Sequence, residues 1–442
     1  MESFHTVIIG AGLAGLACAK RLANAGEPCV VIEATDRVGG RVRTDQVDGF
    51  TLDHGFQVLL TSYPACRELL DYSSLRLCPF EPGALIRQEG QFRLLSDPWR
   101  RPFNTVATAS NPVGTLGDKL RIAALRRASS KGILQDVYYR PPTSTEQRLQ
   151  EDGFSEKFIN EFFRPFLGGV FLDETLSTSS RMLEFVFRMF AAGEIAIPAD
   201  GMAAIPRQLA DSLPRGTLRL QSSVESLEEL PASESGHLSR HRVVISDGAI
   251  ECERVVVATP SDAAARLLNR PELTTKWSGT TNLNFAANDS PDPRRLLMLR
   301  GDEDGPVQSA VVLSDISRTY APAGKALISV SVDEASEPSN GTDDAEIEKR
   351  VRDHLEKWFG PEVRTWQLVR TYRVPYALPV LSMDNILDEE RILVKHTNNS
   401  SPTSIFIAGD HCETPSIQGA MNSGLRVADR ILSDLKTKTS RT

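Results

Sequence analysis

Cysteine is scarce in this chain and never paired. The six cysteines (Cys18, Cys29, Cys66, Cys78, Cys252 and Cys412) form no C-x-x-C and no zinc-type spacing, which excludes a dithiol redox centre and a cysteine-based metal site. Most sit in apolar surroundings, the pattern expected of buried thiols in a reducing cytoplasm. No run of about 18 apolar residues occurs, so no segment reads as a membrane-spanning helix. The first apolar strand begins almost at Met1, and no leader peptide is expected. Positive charge is not in excess: 50 Lys and Arg stand against 58 Asp and Glu, a net charge of −8 with pI near 5.6. A global nucleic-acid footprint is therefore missing.

At 442 residues, 40% apolar and 24% charged, the chain has ordinary globular composition and enough length for two domains with sizeable cores. Its most informative stretch is residues 6–44. Thr6-Val7-Ile8-Ile9 is a short apolar run of the kind found in a parallel strand buried on both faces. Gly10, Gly12 and Gly15 follow as G-x-G-x-x-G where the chain opens into a helix. The first glycine permits the tight turn, the second lets backbone approach a pyrophosphate, and the third lets helix and strand pack closely. The turn residues Gly10, Gly12, Leu13, Ala14 and Gly15 therefore become phosphate-side candidates, beside a helix N-terminus with unpaired N–H groups. Asn24-Ala25-Gly26 ends the helix, and Cys29-Val30-Val31-Ile32 is the next strand. Glu33 closes it at the offset where a carboxylate holds ribose hydroxyls, which favours FAD or NAD over NADP.

Asp36 to Thr44 then places a glycine pair, Gly39-Gly40, between arginines, a second place where backbone and guanidinium can meet phosphate. Here the chain resembles the flavin-containing amine oxidase superfamily, which includes monoamine oxidases, protoporphyrinogen oxidases and phytoene desaturases. That family carries E-A-x-x-R-x-G-G-R-x-x-T after its glycine turn. The resemblance implies that Glu33, Ala34, Gly40 and Arg41 contact the ribose and pyrophosphate of FAD. Thr35 departs from the arginine that many members have. Gly49 to Val58 resembles the family's G-x-x-x-D-x-G element beside the flavin and adds His54, Gly55 and Phe56 as candidates. His54 reads either as an acid/base or as a loop histidine bonded to backbone. Val224 matches the position whose backbone meets adenine. Near the C-terminus, Ile405 to Asp410 and Gly419-Ala420-Met421-Asn422-Ser423-Gly424 resemble the family's G-D and G-A-x-x-S-G elements. They add Gly409, Asp410, Gly419 and Ala420.

The resemblance and the pattern of elements together imply an α/β fold. It has a Rossmann-like FAD-binding domain built from residues 1–78, 198–275 and 385–442, and a discontinuous α+β substrate domain from 79–197 and 276–384. Within the second, about 98–197 reads as helical and 276–384 as antiparallel sheet. Residues 79–96 read as a hairpin, 218–224 as one strand, 343–359 as an amphipathic helix, and Trp366 to Tyr376 as a strand. Residues 98–140 carry eight basic and two acidic residues, +6 in a chain of −8. That segment is either a solvated helix face or a peripheral membrane contact. No aromatic residue lies among the basic residues of 119–131, which argues against nucleic acid. Phe158, Ile159, Phe162, Phe163 and Phe166 fall at helical spacing and read as core, with some free to line a substrate cavity.

A second G-x-G-x-x-G is absent, so a separate NAD(P)H domain is not expected. The family's amine oxidases carry a lysine near the flavin N5 and, in some members, a cysteine bound covalently to the flavin. Residues 277–324 contain no lysine and Cys412 does not match the covalent position, which counts against an amine substrate. The expected function is an FAD-dependent oxidoreductase with non-covalent flavin, taking hydride from an apolar or polycyclic substrate such as a carotenoid-type polyene or a tetrapyrrole. Oxygen or a quinone would reoxidise it. The alternatives are a flavin amine oxidase and a non-catalytic escort-type protein of the same fold. No metal site is expected. The isoalloxazine carries the chemistry, and His54 and Tyr376 are the candidate acid/base residues.

Overall fold

The computed structural model of the protein describes residues 2–96, 100, 112–134, 136–141, 143–230, 240–332, 343–381 and 404–439. Strands β1 (Glu2–Ile9) and β2 (Cys29–Ile32) flank helix α1 (Leu13–Asn24) and pair in parallel. All four residues of β2 are buried, as expected for a strand covered on both faces. A short hairpin follows, β3 (Thr44–Val47) and β4 (Phe50–Asp53), and then β5 (Leu59–Leu60) and β6 (Leu77–Pro79). The second hairpin is β7 (Gly83–Gln88) with β8 (Gln91–Ser96). After the helical region comes β9 (Ile195–Pro198), which pairs with both β5 and β6.

The chain then returns to the first sheet through β10 (Leu218–Arg219), β11 (Val224–Leu230), β12 (Arg240–Ile245) and β13 (Gly248–Val257). It crosses to a second sheet through β14 (Trp277–Ala287), β15 (Leu297–Leu299), β16 (Val307–Val312), β17 (Ala326–Val332) and β18 (Gln367–Pro379). Finally β19 (Ile405–Ile407) adds to β13, in parallel. The first sheet runs β10-β2-β1-β13-β12-β11, with β19 beside β13; the second runs β18-β14-β17-β16-β15-β7-β8. The pairs β10/β2, β2/β1, β1/β13 and β13/β19 are parallel. The second sheet is antiparallel apart from β15 and β7. This is a parallel-sheet dinucleotide fold joined to a second α+β unit. First-sheet strands come from residues 2–32, 218–257 and 405–407, and second-sheet strands from 83–96 and 277–379.

Two cores hold this arrangement. The larger spans the first sheet, α1, the C-terminal helix Ile417–Thr439 and the phenylalanine-rich helices. The smaller lies between the outer face of the second sheet and the helix Asp344–Phe359, whose Ile347, Val351, Leu355 and Trp358 are buried along one side. Asp343 caps that helix by accepting from Ala345 N. The C-terminal helix lies close on α1: a Cβ at Gly424 would stand 2.1 Å from Ala14 O.

Residues 218–224 do not form one strand. Gln221 takes φ +55°, and the turned backbone bonds back to the end of β2, Gln221 N to Thr35 O and Ser222 N to Glu33 O. The segment thus wraps Glu33 instead of extending past it. The phenylalanines of 154–166 pack ring on ring, with Phe154 and Phe163 centroids 4.9 Å apart. Phe158 and Phe163 are wholly buried. In the basic 98–140 segment the helices are Leu116–Ser129 and Asp136–Tyr139; residues 97–99, 101–111 and 135 lie outside the described residues.

Candidate active site

A cavity of about 900 Å³ opens where β1, β2, β13 and β19 end, and runs between the two sheets. Ligands in open parallel sheets bind at this carboxyl edge. Gly10, Gly12, Leu13, Ala14, Glu33, Ala34, Gly40, Arg41, His54, Gly55, Phe56, Val224, Gly409, Asp410 and Ala420 all line it. Residues as far apart in the chain as Gly10 and Ala420 therefore share one wall.

The two glycine motifs touch. Gly39 N donates to Ala11 O (2.8 Å), and Gly12 forms a bridge with Gly39. A Cβ at Gly12 would meet no protein atom within 4 Å, and one at Gly40 would meet only Gly12 Cα at 3.5 Å. Both glycines border open space beside the start of α1, where backbone N–H groups are unpaired. Glu33 is held in place at the rim. Its carboxylate accepts from Ala11 N (2.8 Å), Thr35 N (2.9 Å) and Thr35 Oγ1 (2.7 Å). Thr35, the departure from the usual arginine, orients this carboxylate.

Arg41 is pinned from three sides. It forms an ion pair with Asp410, donates to Ala377 O (2.9 Å) and lies 5.0 Å over the Trp277 ring. Trp277 is on β14 and Ala377 on β18, so the arginine of the first unit grips the second sheet. Asp410 is itself buried, at 4% exposure. Gly409 N donates to Ser423 Oγ (2.9 Å), tying the Gly-Asp turn to the C-terminal helix. The first turn of that helix faces the cavity through Ile417 and Ala420.

His54 has a carboxylate partner for its ring instead of a backbone one. Its Nε2 lies 2.8 Å from Asp45 Oδ2, and it stacks on Tyr372 at 4.3 Å. Tyr372 OH (3.0 Å) and Arg37 Nη1 (3.0 Å) donate to the same carboxylate. Burial alone would raise Asp45, but these donors outweigh it and hold the carboxyl below its ordinary range. Asp53, the aspartate of G-x-x-x-D-x-G, is a buried hub. It accepts from Thr44 Oγ1 (2.5 Å), Met202 N (2.9 Å) and Tyr320 OH (2.8 Å). Burial exceeds the effect of those bonds, and its pKa is raised.

Three expected site residues stand elsewhere. Tyr376 is 55% exposed, sits edge-to-face on Trp277 at 6.0 Å and is off the cavity wall. Thr280 pairs with Val374 and Ser278 with Leu378, so β18 carries two extra residues there. That irregularity turns Tyr376 outward. Gly15 is a packing glycine, since a Cβ would stand 2.0 Å from Gly10 O. Gly419 is another, with a Cβ position 1.8 Å from Thr414 O.

The far wall comes from the second unit: Phe166, Val170, Leu172, Met182, Phe185, Val186, Leu297, Leu299, Val374 and Leu378, with Thr280, Gln308, Ser309 and Ser331. None of these is charged. The charged residues of the described lining, Glu33, Arg41, Glu225, Arg266 and Asp410, all belong to the first unit. Sequence reasoning missed Arg266 and the four polar residues of the second sheet. No local motif marks them, because their placement depends on how distant strands pair.

Open glycine backbone, a helix start, a carboxylate at the end of β2 and an arginine within one elongated cavity fit a dinucleotide. The class of protein so defined is an FAD-dependent oxidoreductase. The chain belongs to the flavin containing amine oxidoreductase family, whose model matches residues 13–432, and its cofactor is FAD. It is 43% identical over 76 residues to the L-amino acid oxidase Cdc18 of Crotalus durissus cumanensis, covering 17% of this chain and 15% of that protein. The match thus spans about a seventh of that relative's length. To the 15-cis-phytoene desaturase of Glycine max it is 26% identical over 178 residues, 37% of this chain and 30% of that one. The fold is shared with an Exiguobacterium sp. 255-15 protein provisionally named protoporphyrinogen oxidase, at TM-score 0.70 and 18% identity, covering 98% of this chain and 99% of the other. No described helix is long and apolar enough to cross a membrane.

Proposed function

We propose that the protein oxidises an uncharged, largely apolar substrate over FAD. One observation carries this reading: every described cavity residue supplied by the second unit is uncharged, and most are apolar. A cationic amine or a zwitterionic amino acid would need a counter-charge at that wall, since a buried unpaired charge is costly. A tetrapyrrole carries carboxylates that would need cations there. A polyene needs neither and is the better fit. The family relationship to a phytoene desaturase supports the same choice.

When bound, FAD supplies a hydride acceptor; the remaining work falls to the chain. Gly12, Gly40 and Arg41 are placed to hold the pyrophosphate, Glu33 the ribose, Val224 the adenine side and Asp410 the ribityl chain. The start of the helix Ile417–Thr439 brings a positive dipole end to the flavin side. Phe166, Phe185, Met182 and Val186 exclude water from the reacting face. His54, fixed by Asp45 and Tyr372, shapes the wall between the two units. Oxygen or a quinone is the proposed electron acceptor. Anaerobic mixing of the yellow holoprotein with polyenes, protoporphyrinogen and amines tests the reading. Bleaching by polyenes is the expected result, and bleaching by amines alone overturns it.

We propose further that the 98–140 region touches a membrane surface. Leu116, Leu120, Ile133 and Tyr139 are 63–81% exposed on this basic segment, and apolar residues flanked by basic ones suit an anionic bilayer. Not all of the +6 is available to a bilayer, because Arg140 pairs with Glu184 and the guanidinium groups of Arg100 and Arg126 are turned to carbonyls at 190–193. Flotation with anionic liposomes should retain the protein, and Leu116→Ser/Leu120→Ser should release it. Indifference to anionic lipid returns the segment to a solvated face.

A further inference from the structure

The sheet that forms the far wall has a polar inner face, although that face is enclosed. On β14, Thr280, Asn282 and Asn284 alternate with Thr281, Leu283 and Phe285. Leu283 and Phe285 enter the outer core with Ile328, Val330 and Ala310. The opposite face carries Asn282, Ser331 and Ser309 as directly paired neighbours, and Asn284 opposite Ser329. Asn282 and Asn284 are 1% exposed, Ser329 3% and Ser309 5%. Burying such groups without partners is unfavourable.

The deep members satisfy one another. Asn282 Nδ2 donates to Ser329 Oγ (3.0 Å) and Val330 O (3.1 Å), and Asn284 Nδ2 donates to Asn282 Oδ1 (2.9 Å). The cavity members do not. Thr280, Ser309 and Ser331 all line the cavity, and their hydroxyls have no hydrogen-bond partner among the described residues.

Gln308 joins them through an irregularity. The pairing of β16 with β17 shifts between Val307 and Ser309, and both Gln308 and Ser309 consequently reach the cavity. The amide of Gln308 is oriented from behind. Its Nε2 donates to Glu174 Oε1 (2.9 Å), and Arg300 Nη2 holds both oxygens of Glu174 (3.1 and 3.0 Å). A carboxylate can only accept, so the amide N–H₂ must face it and Oε1 must face the other way. A Cβ at Gly169, itself on the lining, would lie 3.4 Å from that Oε1.

We propose that Gln308, Ser309, Ser331 and Thr280 recognise a neutral hydroxyl on an otherwise apolar substrate, so that the preferred ligand is an apolar alcohol, such as a hydroxylated isoprenoid, and not a bare hydrocarbon. A hydroxyl donates to Gln308 Oε1 and accepts from a serine or threonine at once. A hydrocarbon in the same place would leave those groups buried and unpaired, and sites built to bond a hydroxyl reject analogues lacking it strongly. This inference rests on the uncharged-substrate reading and narrows it.

The test is displacement of a bound apolar fluorophore from the FAD-loaded protein under anaerobic conditions. The ligands are geranylgeraniol, the same hydrocarbon with hydrogen in place of the hydroxyl, and the corresponding primary amine. The alcohol should bind at least tenfold tighter than the hydrocarbon. Gln308→Leu should bring that ratio to about one while hydrocarbon affinity holds or rises, and Ser309→Ala and Ser331→Ala should reduce it in part. Flavin content reports whether each variant is folded, and where Gln308→Leu fails to fold, the wild-type ratio and the serine variants decide. Equal affinity for alcohol and hydrocarbon overturns this inference and leaves the uncharged-substrate reading intact. Tightest binding of the amine overturns both.

Discussion

In the first sheet Val7, Ile8, Val30, Val31, Val255 and Val256 have no exposure at all, and the middles of these strands are covered by apolar packing on both faces. In the second sheet one face carries Leu283, Phe285, Ile328 and Val330 into a core, while the other buries Asn282, Asn284, Ser309 and Ser329. The first sheet places its ligand-binding groups on the turns beyond the strand ends, and its buried polar residues, Thr6, His241 and Arg254, lie off the cavity wall. The second presents its own face to the cavity, so its strands carry the polarity. The cofactor-side candidates thus sit on loops over an apolar platform, and the substrate-side groups proposed above sit on strand side chains. Substrate preference can then change by single-residue steps without disturbing the platform.

The largest effect that would break this division is expected from Gly15→Val. A Cβ there would overlap Gly10 O, at 2.0 Å, and separating helix from strand should cost about 3 kcal/mol. Flavin released by heating should fall to near zero; near-normal flavin would show that the turn does not depend on close packing.

The second sheet should show its own acid sensitivity. His354, 2% exposed, accepts from Val307 N through Nδ1 (3.2 Å), so its proton sits on Nε2, towards Glu303 3.5 Å away. Protonating Nδ1 would break the bond to Val307. Burial lowers this histidine to about 4. The unfolded chain, with a histidine near 6.5, binds more protons in the window from about 6.5 down to 4. Stability should therefore fall as pH drops through that window, by up to roughly 3 kcal/mol. Denaturation midpoints between pH 7 and 4 should show the slope, and His354→Asn should flatten it. An unchanged slope would place the acid sensitivity elsewhere.

Arg41→Ala sharpens the comparison, because this residue belongs to both halves. Loss of charged hydrogen bonds worth about 1.5–3 kcal/mol should weaken FAD roughly 10- to 100-fold. Because Arg41 also holds Ala377 O, protease cleavage near 377 should quicken in the same variant. Flavin loss with unchanged cleavage would confine its role to the first unit. The smallest effect is expected at the cysteines. Burial raises the Cys29 thiol to about 11 and Cys252 to about 12, and only Cys78 is less than fully buried. Ellman's reagent should label about one thiol in the native protein, with stability and flavin content unchanged within about 0.5 kcal/mol.

Legibility in the sequence follows the same division. The glycine spacing and Glu33 at the end of β2 are readable because short-range backbone geometry demands those residues at those offsets, and the Gly409-Asp410 turn is readable through its resemblance to the family's G-D element. Residues 276–384 read as antiparallel sheet, and the alternation from Thr280 to Phe285 belongs to that pattern. Its polar half would ordinarily mean a solvent face, and nothing nearby in sequence says that it faces an enclosed cavity. Tyr376 was misplaced for a related reason, since an irregularity in strand pairing leaves no local signature. Thr35 departs from the arginine of many members, and the fold makes it a partner of Glu33.

By itself, then, the sequence determined the strand–turn–helix unit at residues 6–33, its FAD-type acidic terminus and the apolar helices of 154–190, all set by spacing within one or two elements. Only the tertiary structure decided that Gly12 meets Gly39, that Arg41 bridges to Trp277 and Asp410, and that Gln308 and Ser309 both line the cavity. Each of these depends on the register between segments tens to hundreds of residues apart. Register is a property of paired strands and packed faces, and no single stretch of chain carries it.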